Sequence, residues 1–451
     1  MKKRIFAVMI LFITIINIYN LSFAETASSA DSLSTQVVDN NTINTVEKPE
    51  FDINSEEAVL IDAKTGNVLA QKNMDKQAYP ASTTKILTAI IAIEKLNLND
   101  IITASNSAVM AIPVGYSNAG IKAGEKFDVK NLLQMFLIHS ANEVGYIFAE
   151  KISGNVDEFS KLMNQKASEL GCKNTHFTNP SGIHDPDHYS TAYDMALIAK
   201  YCMQNETFRS IVSQVNYKYP ATDLYPQERN FKNTNDLIDP SNKYYYKYAI
   251  GIKTGYTSQA KNCLISGAQK DGIELITVVL GADKTANGLL GKYVKYEDTI
   301  NLFNYGFNNY QLKDFQVANT TIKELVVKNA TKDTKNLNLV TKDSLSALLP
   351  SNFDINNLKY TIELNEEISA PINQGDVLGK LIYSIDGIDY STDLIASSDV
   401  IKSDLLKIVF QIFLAILVLI ILSLVISSRN KYKNKKRKNS YKDNNIYKFK
   451  I

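Results

Sequence analysis

The feature that most constrains this chain is an apolar run near its C-terminal end. Ile408 to Ile426 is apolar apart from Gln411 and Ser423. As a helix it is about 28 Å long, close to the thickness of one hydrocarbon core. Arg429, Lys431, Lys433, Lys435, Lys436, Arg437 and Lys438 follow directly, and positive charge beside a span stays on the cytoplasmic side. The other end agrees. Met1-Lys2-Lys3-Arg4 precedes an apolar run beginning at Ile5, and Ser22-Phe23-Ala24 closes it with small residues. A basic start, a short apolar core and a small-residue exit make a secretory signal. We therefore expect a signal peptide at residues 1–24, one transmembrane helix at 405–428, and a basic cytoplasmic tail at 429–451. The expectation is a single-pass cell-membrane protein with the bulk of its chain extracellular.

Composition excludes some partners. Net charge is +2, and the excess lies mostly in the tail, so nothing asks for nucleic acid. Cys172, Cys202 and Cys263 are isolated, with no CxxC pair, which argues against a zinc ribbon or a thioredoxin-like site. Small buried hydrophobes are the ordinary role of such cysteines.

Residues 25–50 are rich in Ser, Thr, Asn and Asp without an aromatic residue, as in a disordered linker. Residues 51–310 mix helix and strand patterns. Ala58–Asp62 and Asn67–Ala70 flank a turn, a hairpin signal. The run Ile86–Ile93 suits a buried helix within Thr83–Leu96. Asn131–Ile138, Glu143–Lys151 and Thr191–Met203 also read as helices, with Thr191 and Asp194 in a capping arrangement. Tyr248–Lys253, Cys263–Gln269 and Glu274–Leu280 read as strands. Helices against a sheet built from both ends of the segment make an α+β layout. In residues 311–400, the stretches Thr321–Val327, Lys359–Leu364 and Leu378–Ile385 alternate with Asn, Asp and Gly turns, predicting a small all-β domain.

Three short motifs carry chemistry: S-x-x-K, S-x-N and K-T-G, a trio close to that of penicillin-binding proteins and class A β-lactamases. Each occurs more than once. Ser82-Thr83-Thr84-Lys85 opens the apolar helix, where i and i+3 share a face, whereas Ser258-Gln259-Ala260-Lys261 falls in a turn. Ser140-Ala141-Asn142 joins two apolar helices, whereas Gly154 in Ser153-Gly154-Asn155 looks like a helix stop. Lys253-Thr254-Gly255 ends an apolar strand, whereas Lys64-Thr65-Gly66 is turn chemistry. The first of each pair is the functional candidate. Taken alone, Ser82 is as well explained as a helix cap.

Together these residue types suit acyl transfer. Ser82 needs a base to take its proton. Lys85 serves only when neutral, which against a reference pKa of about 10.4 requires about 4 kcal/mol of destabilisation of its charged form. Burial and the second cation Lys253 both push that way. Ser140 can relay a proton to a leaving amine, and Asn142 can hold a substrate amide. Lys253 and Thr254 suit a free carboxylate, and Gly255 permits close backbone approach. The N–H groups of Ser82 and Tyr256 are candidates for an oxyanion hole. Nothing calls for a cofactor or a metal. His184 and His188 stand four apart, but Pro186 between them opposes the helix such spacing needs.

At this point the chain resembles the low-molecular-weight penicillin-binding proteins, the serine D-alanyl-D-alanine carboxypeptidases, over about residues 51–400. Ala81-Ser82-Thr83-Thr84-Lys85 resembles the family's nucleophile segment. Asn174-Thr175-His176-Phe177-Thr178-Asn179-Pro180-Ser181-Gly182 and Asp187-His188-Tyr189-Ser190-Thr191-Ala192 resemble its middle signature. Gly251-Ile252-Lys253-Thr254-Gly255-Tyr256-Thr257 resembles its third motif, and Ala370-Pro371-Ile372 with Gly375 and Gly379 its C-terminal β-domain. The resemblance implies a penicillin-binding, β-lactamase-like transpeptidase fold with an antiparallel sheet. It also implies removal of the last D-alanine from peptidoglycan stem pentapeptides in cell-wall biosynthesis, and covalent inhibition by β-lactam antibiotics. Two departures stand out. Lys261 follows Ala260 where the family commonly has glycine, and the final segment is long and apolar enough to span. A β-lactamase would need a positioned carboxylate that no segment supplies. A silent peptidoglycan-binding protein would not need the intact Ser82, Lys85, Ser140, Asn142 and Lys253.

Overall fold

The computed structural model describes Pro49, residues 51–283 and residues 290–446. The expected signal peptide and, Pro49 apart, the expected linker lie outside the described residues. Two compact units divide the chain. Among the described residues, one comprises 51–315 with Ser346–Asn357; the other comprises Gln316–Leu345 with 358–446.

The first unit is built on a five-stranded antiparallel sheet. Strands β1 (Glu57–Asp62) and β2 (Val68–Lys72) form the expected hairpin. Helices α1 (Lys85–Lys95), α2 (Val129–Ile138), α3 (Asn142–Ser153) and α4 (Ala192–Met203) follow. Strands β3 (Ala249–Thr257), β4 (Lys261–Lys270) and β5 (Ile273–Ala282) then complete the sheet in the order β2-β1-β5-β4-β3. Helix α5 (Gly291–Asn309) closes the unit.

The sheet explains its own sequence. β4 and β5 are covered on both faces, so they read as near-continuous apolar runs without alternation. One core packs Val59, Ile61, Ile265, Ile276 and Val278 against the apolar stripes of α1, α2 and α4. The other packs Leu60, Leu264, Leu275 and Val279 with Leu302 and Phe303 of α5. Strand β3 lies at the edge of the sheet, beside the start of α1.

Both α2 and α4 carry side-chain caps, and the one at Thr191 was expected. The Asp128 side chain accepts from Asn131 N, and the Thr191 side chain from Asp194 N. Ser82 differs slightly from expectation. Ala81–Thr84 forms a 3-10 turn, and the α-helix proper begins at Lys85.

The second unit contains a five-stranded antiparallel sheet of β6 (Thr321–Val326), β7 (Asn336–Thr341), β8 (Thr361–Leu364), β9 (Val377–Ile385) and β10 (Ile388–Ala396), in the order β6-β7-β10-β9-β8. Three of these strands were expected. β7 and β10 were not, although Leu337, Leu339, Leu394 and Ala396 alternate inward with polar residues as in a half-buried strand. Helix α6 runs from Leu405 to Ile446, 42 residues. Within it, Lys407–Asn439 is the one stretch among the described residues long and apolar enough to cross a membrane. The helix continues through the basic cluster, where a separate tail was expected.

Candidate active site

The site forms where the 3-10 turn at Ser82, the junction of α2 and α3, and strand β3 meet. Lys85 is completely buried. Its Nζ lies 2.7 Å from Ser82 Oγ, 2.7 Å from Asn142 Oδ1 and 2.6 Å from the Ser181 carbonyl oxygen. The latter two are pure acceptors, so each takes an N–H. A neutral amine has two N–H groups and one lone pair. In the neutral amine those two N–H groups go to Asn142 and Ser181, and the lone pair faces the Ser82 hydroxyl. Burial pushes the Lys85 pKa well below its ordinary value, the Lys253 charge pushes the same way, and the Glu143 carboxylate opposes them.

Each partner is fixed in turn. Asn142 sits at the start of α3, and its Nδ2 donates to Ser117 O at 2.7 Å. Ser181 belongs to a turn organised by Asn179, whose Oδ1 accepts from the N–H groups of Ser181, Gly182 and Ile183. Gly182 has φ +78°, and a Cβ there would fall 1.8 Å from Ala81 O. Only glycine lets this turn lie against the nucleophile segment. Thr88 Oγ1 donates to Pro180 O at 2.7 Å. Thr178 N donates to His188 Nδ1 at 3.1 Å, so the ring proton is on Nε2, which donates to Thr84 Oγ1 at 2.8 Å. Burial pushes the His188 pKa down to about 3; the ring stays neutral and structural. Among the described residues, no group of His, Cys, Asp or Glu is placed to hold a metal ion.

Ser140 lies in the bend between α2 and α3, at φ +68° and buried. On β3, Lys253 is 1% exposed and donates to the Thr254 carbonyl at 3.1 Å. Burial, and then Lys295, push its pKa down to about 7. Thr254 Oγ1 donates to Thr234 Oγ1 at 2.5 Å. Gly255 packs on the nucleophile turn, for a Cβ there would lie 3.0 Å from Pro80 O and 3.1 Å from Ser82 N. Tyr256 is 64% exposed.

The structure thus joins Ser82, Lys85 and Asn142 by hydrogen bonds, sets Gly255 against Ser82, and links Lys253 to Lys85 through charge. Four contributors escaped the sequence reading: the Ser181 carbonyl, Asn179, Glu143 and Lys295. Glu143 is 2% exposed, and its Oε1 accepts from Ala119 N at 2.7 Å. Its Oε2 has no hydrogen-bond partner, and burial raises its pKa. Lys295 on α5 is buried, with its pKa pushed down to about 8. The S-x-N neighbour Glu143 was within reach of a motif reading. A backbone carbonyl was not.

The sequence profile of D-alanyl-D-alanine carboxypeptidases matches residues 42–284, and that of the penicillin-binding protein 5 C-terminal domain matches residues 310–402. The chain belongs to the D-alanyl-D-alanine carboxypeptidase family. It is a serine-type hydrolase of the penicillin-binding protein class. It is 35% identical over 366 residues to D-alanyl-D-alanine carboxypeptidase DacF of Bacillus subtilis, covering 79% of this chain and 87% of that one. To DacC of Escherichia coli it is 29% identical over 360 residues, 76% of this chain and 82% of the other. Penicillin-binding protein 5 of Haemophilus influenzae superposes with a TM-score of 0.61 at 28% identity, over 78% of this chain and 99% of that one. The enzyme's apolar C-terminal helix accords with membrane anchoring.

Proposed function

We propose that the protein removes the C-terminal D-alanine from peptidoglycan stem pentapeptides through an acyl-enzyme on Ser82. The observation that carries this is the buried Lys85 Nζ 2.7 Å from Ser82 Oγ, with Asn142 Oδ1 and the Ser181 carbonyl as its other two partners. Lys85 takes the Ser82 proton as Oγ bonds to the penultimate D-alanine carbonyl carbon. The developing oxyanion is received by the N–H groups of Ser82 and Tyr256. The C–N bond then breaks, and Ser140 passes a proton to the departing D-alanine amine. Asn142 holds the substrate amide. Lys253 and Thr254 hold the terminal carboxylate, and Gly255 lets the peptide lie close. Water attacks the ester, restoring Ser82 and releasing the shortened peptide. β-Lactams, in this reading, acylate the same oxygen.

The domain reading goes with it: signal peptide 1–24, linker 25–50, peptidase domain 51–310, β-domain 311–400, and a single transmembrane pass at 405–428 with a cytoplasmic basic end at 429–451. The catalytic unit then works outside the membrane. The basic residues after Ile426 and the basic N-terminus support this orientation.

The test uses full-length protein in detergent with a fluorescent penicillin and a diacyl-Lys-D-Ala-D-Ala peptide, beside Ser82→Ala. Covalent label and D-alanine release, both lost in the variant, are expected. Label without release would point to a silent binding protein. No label on folded protein would sink Ser82 as the activated serine.

A further inference from the structure

Helix α6 does not stop where the apolar run does. It continues unbroken past Ile426 to Ile446, and residues 429–439 are all exposed. Seven of the ten residues from Arg429 to Lys438 are cations: Arg429, Lys431, Lys433, Lys435, Lys436, Arg437 and Lys438. No Asp or Glu lies between 427 and 439. A flank that only sets orientation needs positive charge, but no particular arrangement of it.

Here the charges are arranged. Arg429, Lys433 and Lys436 stand at i, i+4 and i+7, one stripe along the helix. Lys431, Lys435 and Lys438 repeat that spacing two residues later, which places them about 200° round the axis. Arg437 lies beside the first stripe. The two stripes therefore face opposite ways. Arg429 and Lys433, Lys431 and Lys435, and Lys433 and Arg437 are like charges at i, i+4, and each such pair opposes the helix. With no carboxylate among them, the compensating charge comes from outside the segment.

Position supplies it. Arg429 stands about 4.5 Å and Lys438 about 18 Å beyond Ile426 along the axis. One headgroup layer is about 5–7 Å deep, and its charge is felt about 8 Å further at physiological salt. Side chains on a helix lean toward its N-terminus, which here is the direction of the span, and long basic stems carry their charged ends that way. All seven cations thus come within reach of the headgroups. A folded partner would cover one face of α6 and leave the other stripe bare. Lipid surrounds a spanning helix and meets both stripes at once.

We propose that α6 beyond the span is a selective site for anionic phospholipid headgroups, which gather round both stripes as a ring. The span anchors the protein in any bilayer; the basic helix chooses the lipid beside it. The inference rests on the transmembrane reading above, and it holds whichever side of the membrane the basic end occupies.

Full-length protein in vesicles of phosphatidylcholine with a minority of phosphatidylglycerol tests it. Lipid that stays with the protein after gentle detergent extraction is identified by native mass spectrometry. The share of phosphatidylglycerol should exceed its share of the bilayer by about fivefold or more, fivefold being the worth of one basic residue at an anionic surface. Replacing all seven cations by glutamine should bring the two shares level. Replacing either stripe alone, Arg429, Lys433 and Lys436 or Lys431, Lys435 and Lys438, should remove part of the excess. Unchanged penicillin labelling shows that each variant is folded. An excess that survives loss of all seven cations overturns the proposal, as does one carried wholly by a single stripe. Retention of soluble polyphosphate in place of phosphatidylglycerol overturns the lipid assignment. Absence of any excess, in wild type that alkaline carbonate cannot strip from phosphatidylcholine vesicles, overturns the lipid site alone. Release by carbonate overturns the transmembrane reading, and the site with it.

Discussion

The letters Lys-Thr-Gly occur twice in this protein, and the two copies do unrelated things. At 64–66 they form a surface turn. Asp62 accepts from Lys64 N, Thr65 N and Thr65 Oγ1, and Gly66 takes φ +89°. At 253–255 they lie in a buried strand, with Lys253 stripped of water and Gly255 against Ser82 N. The other motifs repeat the contrast. Gly154 ends α3 in the left-handed conformation, and Asn155 caps the helix Val156–Glu169 by accepting from Glu158 N. Ser258 sits exposed in a turn, while Ser82 touches a buried amine. A motif here is chemistry only where the fold withdraws water from it.

The largest expected effect separates the two serines. Ser82→Ala should lose penicillin labelling and on the order of 10⁴-fold or more in kcat/KM, as loss of a nucleophile does. Ser258→Ala should change D-alanine release less than about twofold, because exposed sites away from such features are near neutral. Comparable losses would break the comparison. The two lysines come next. Lys253→Met should cost about 10²–10³-fold with a carboxylate-ended peptide, the scale of one lost charge contact to a reacting group. Lys64→Met should leave kinetics within about twofold.

A pH profile sharpens it further. Lys253 holds a carboxylate only while protonated, and its pKa stands at about 7. KM should therefore rise as pH climbs through that value, and a flat KM to pH 9 would deny the role. The smallest effect concerns Glu143, whose charge favours protonated Lys85. Glu143→Gln lowers the Lys85 pKa further, so the low-pH limb of kcat/KM should move to lower pH. A shift upward would mean that Glu143 does not act on Lys85 through its charge.

Much of the fold was legible because its signals are local. The apolar run Ile86–Ile93, the Thr191 cap and the strands around Lys253 are written within single elements. The site was legible as a trio of motifs, and its geometry was not. Ser181 acts through a backbone carbonyl, which has no letter of its own. Asn179 and His188 act by holding other residues. Lys295 reaches the site only because α5 covers the sheet. The 3-10 turn at Ser82 was missed for a similar reason, since Gly182 and Gly255 crowd that segment from distant parts of the chain.

The acceptors that ready Lys85 come from positions 57 and 96 residues further along the chain. An unfolded chain has Ser82 and Lys85 close in sequence but the amine protonated and its partners absent. The hydroxyl is then an ordinary alcohol. Reactivity is thus a property of the finished fold alone, and penicillin labelling of a mixed population should count folded molecules.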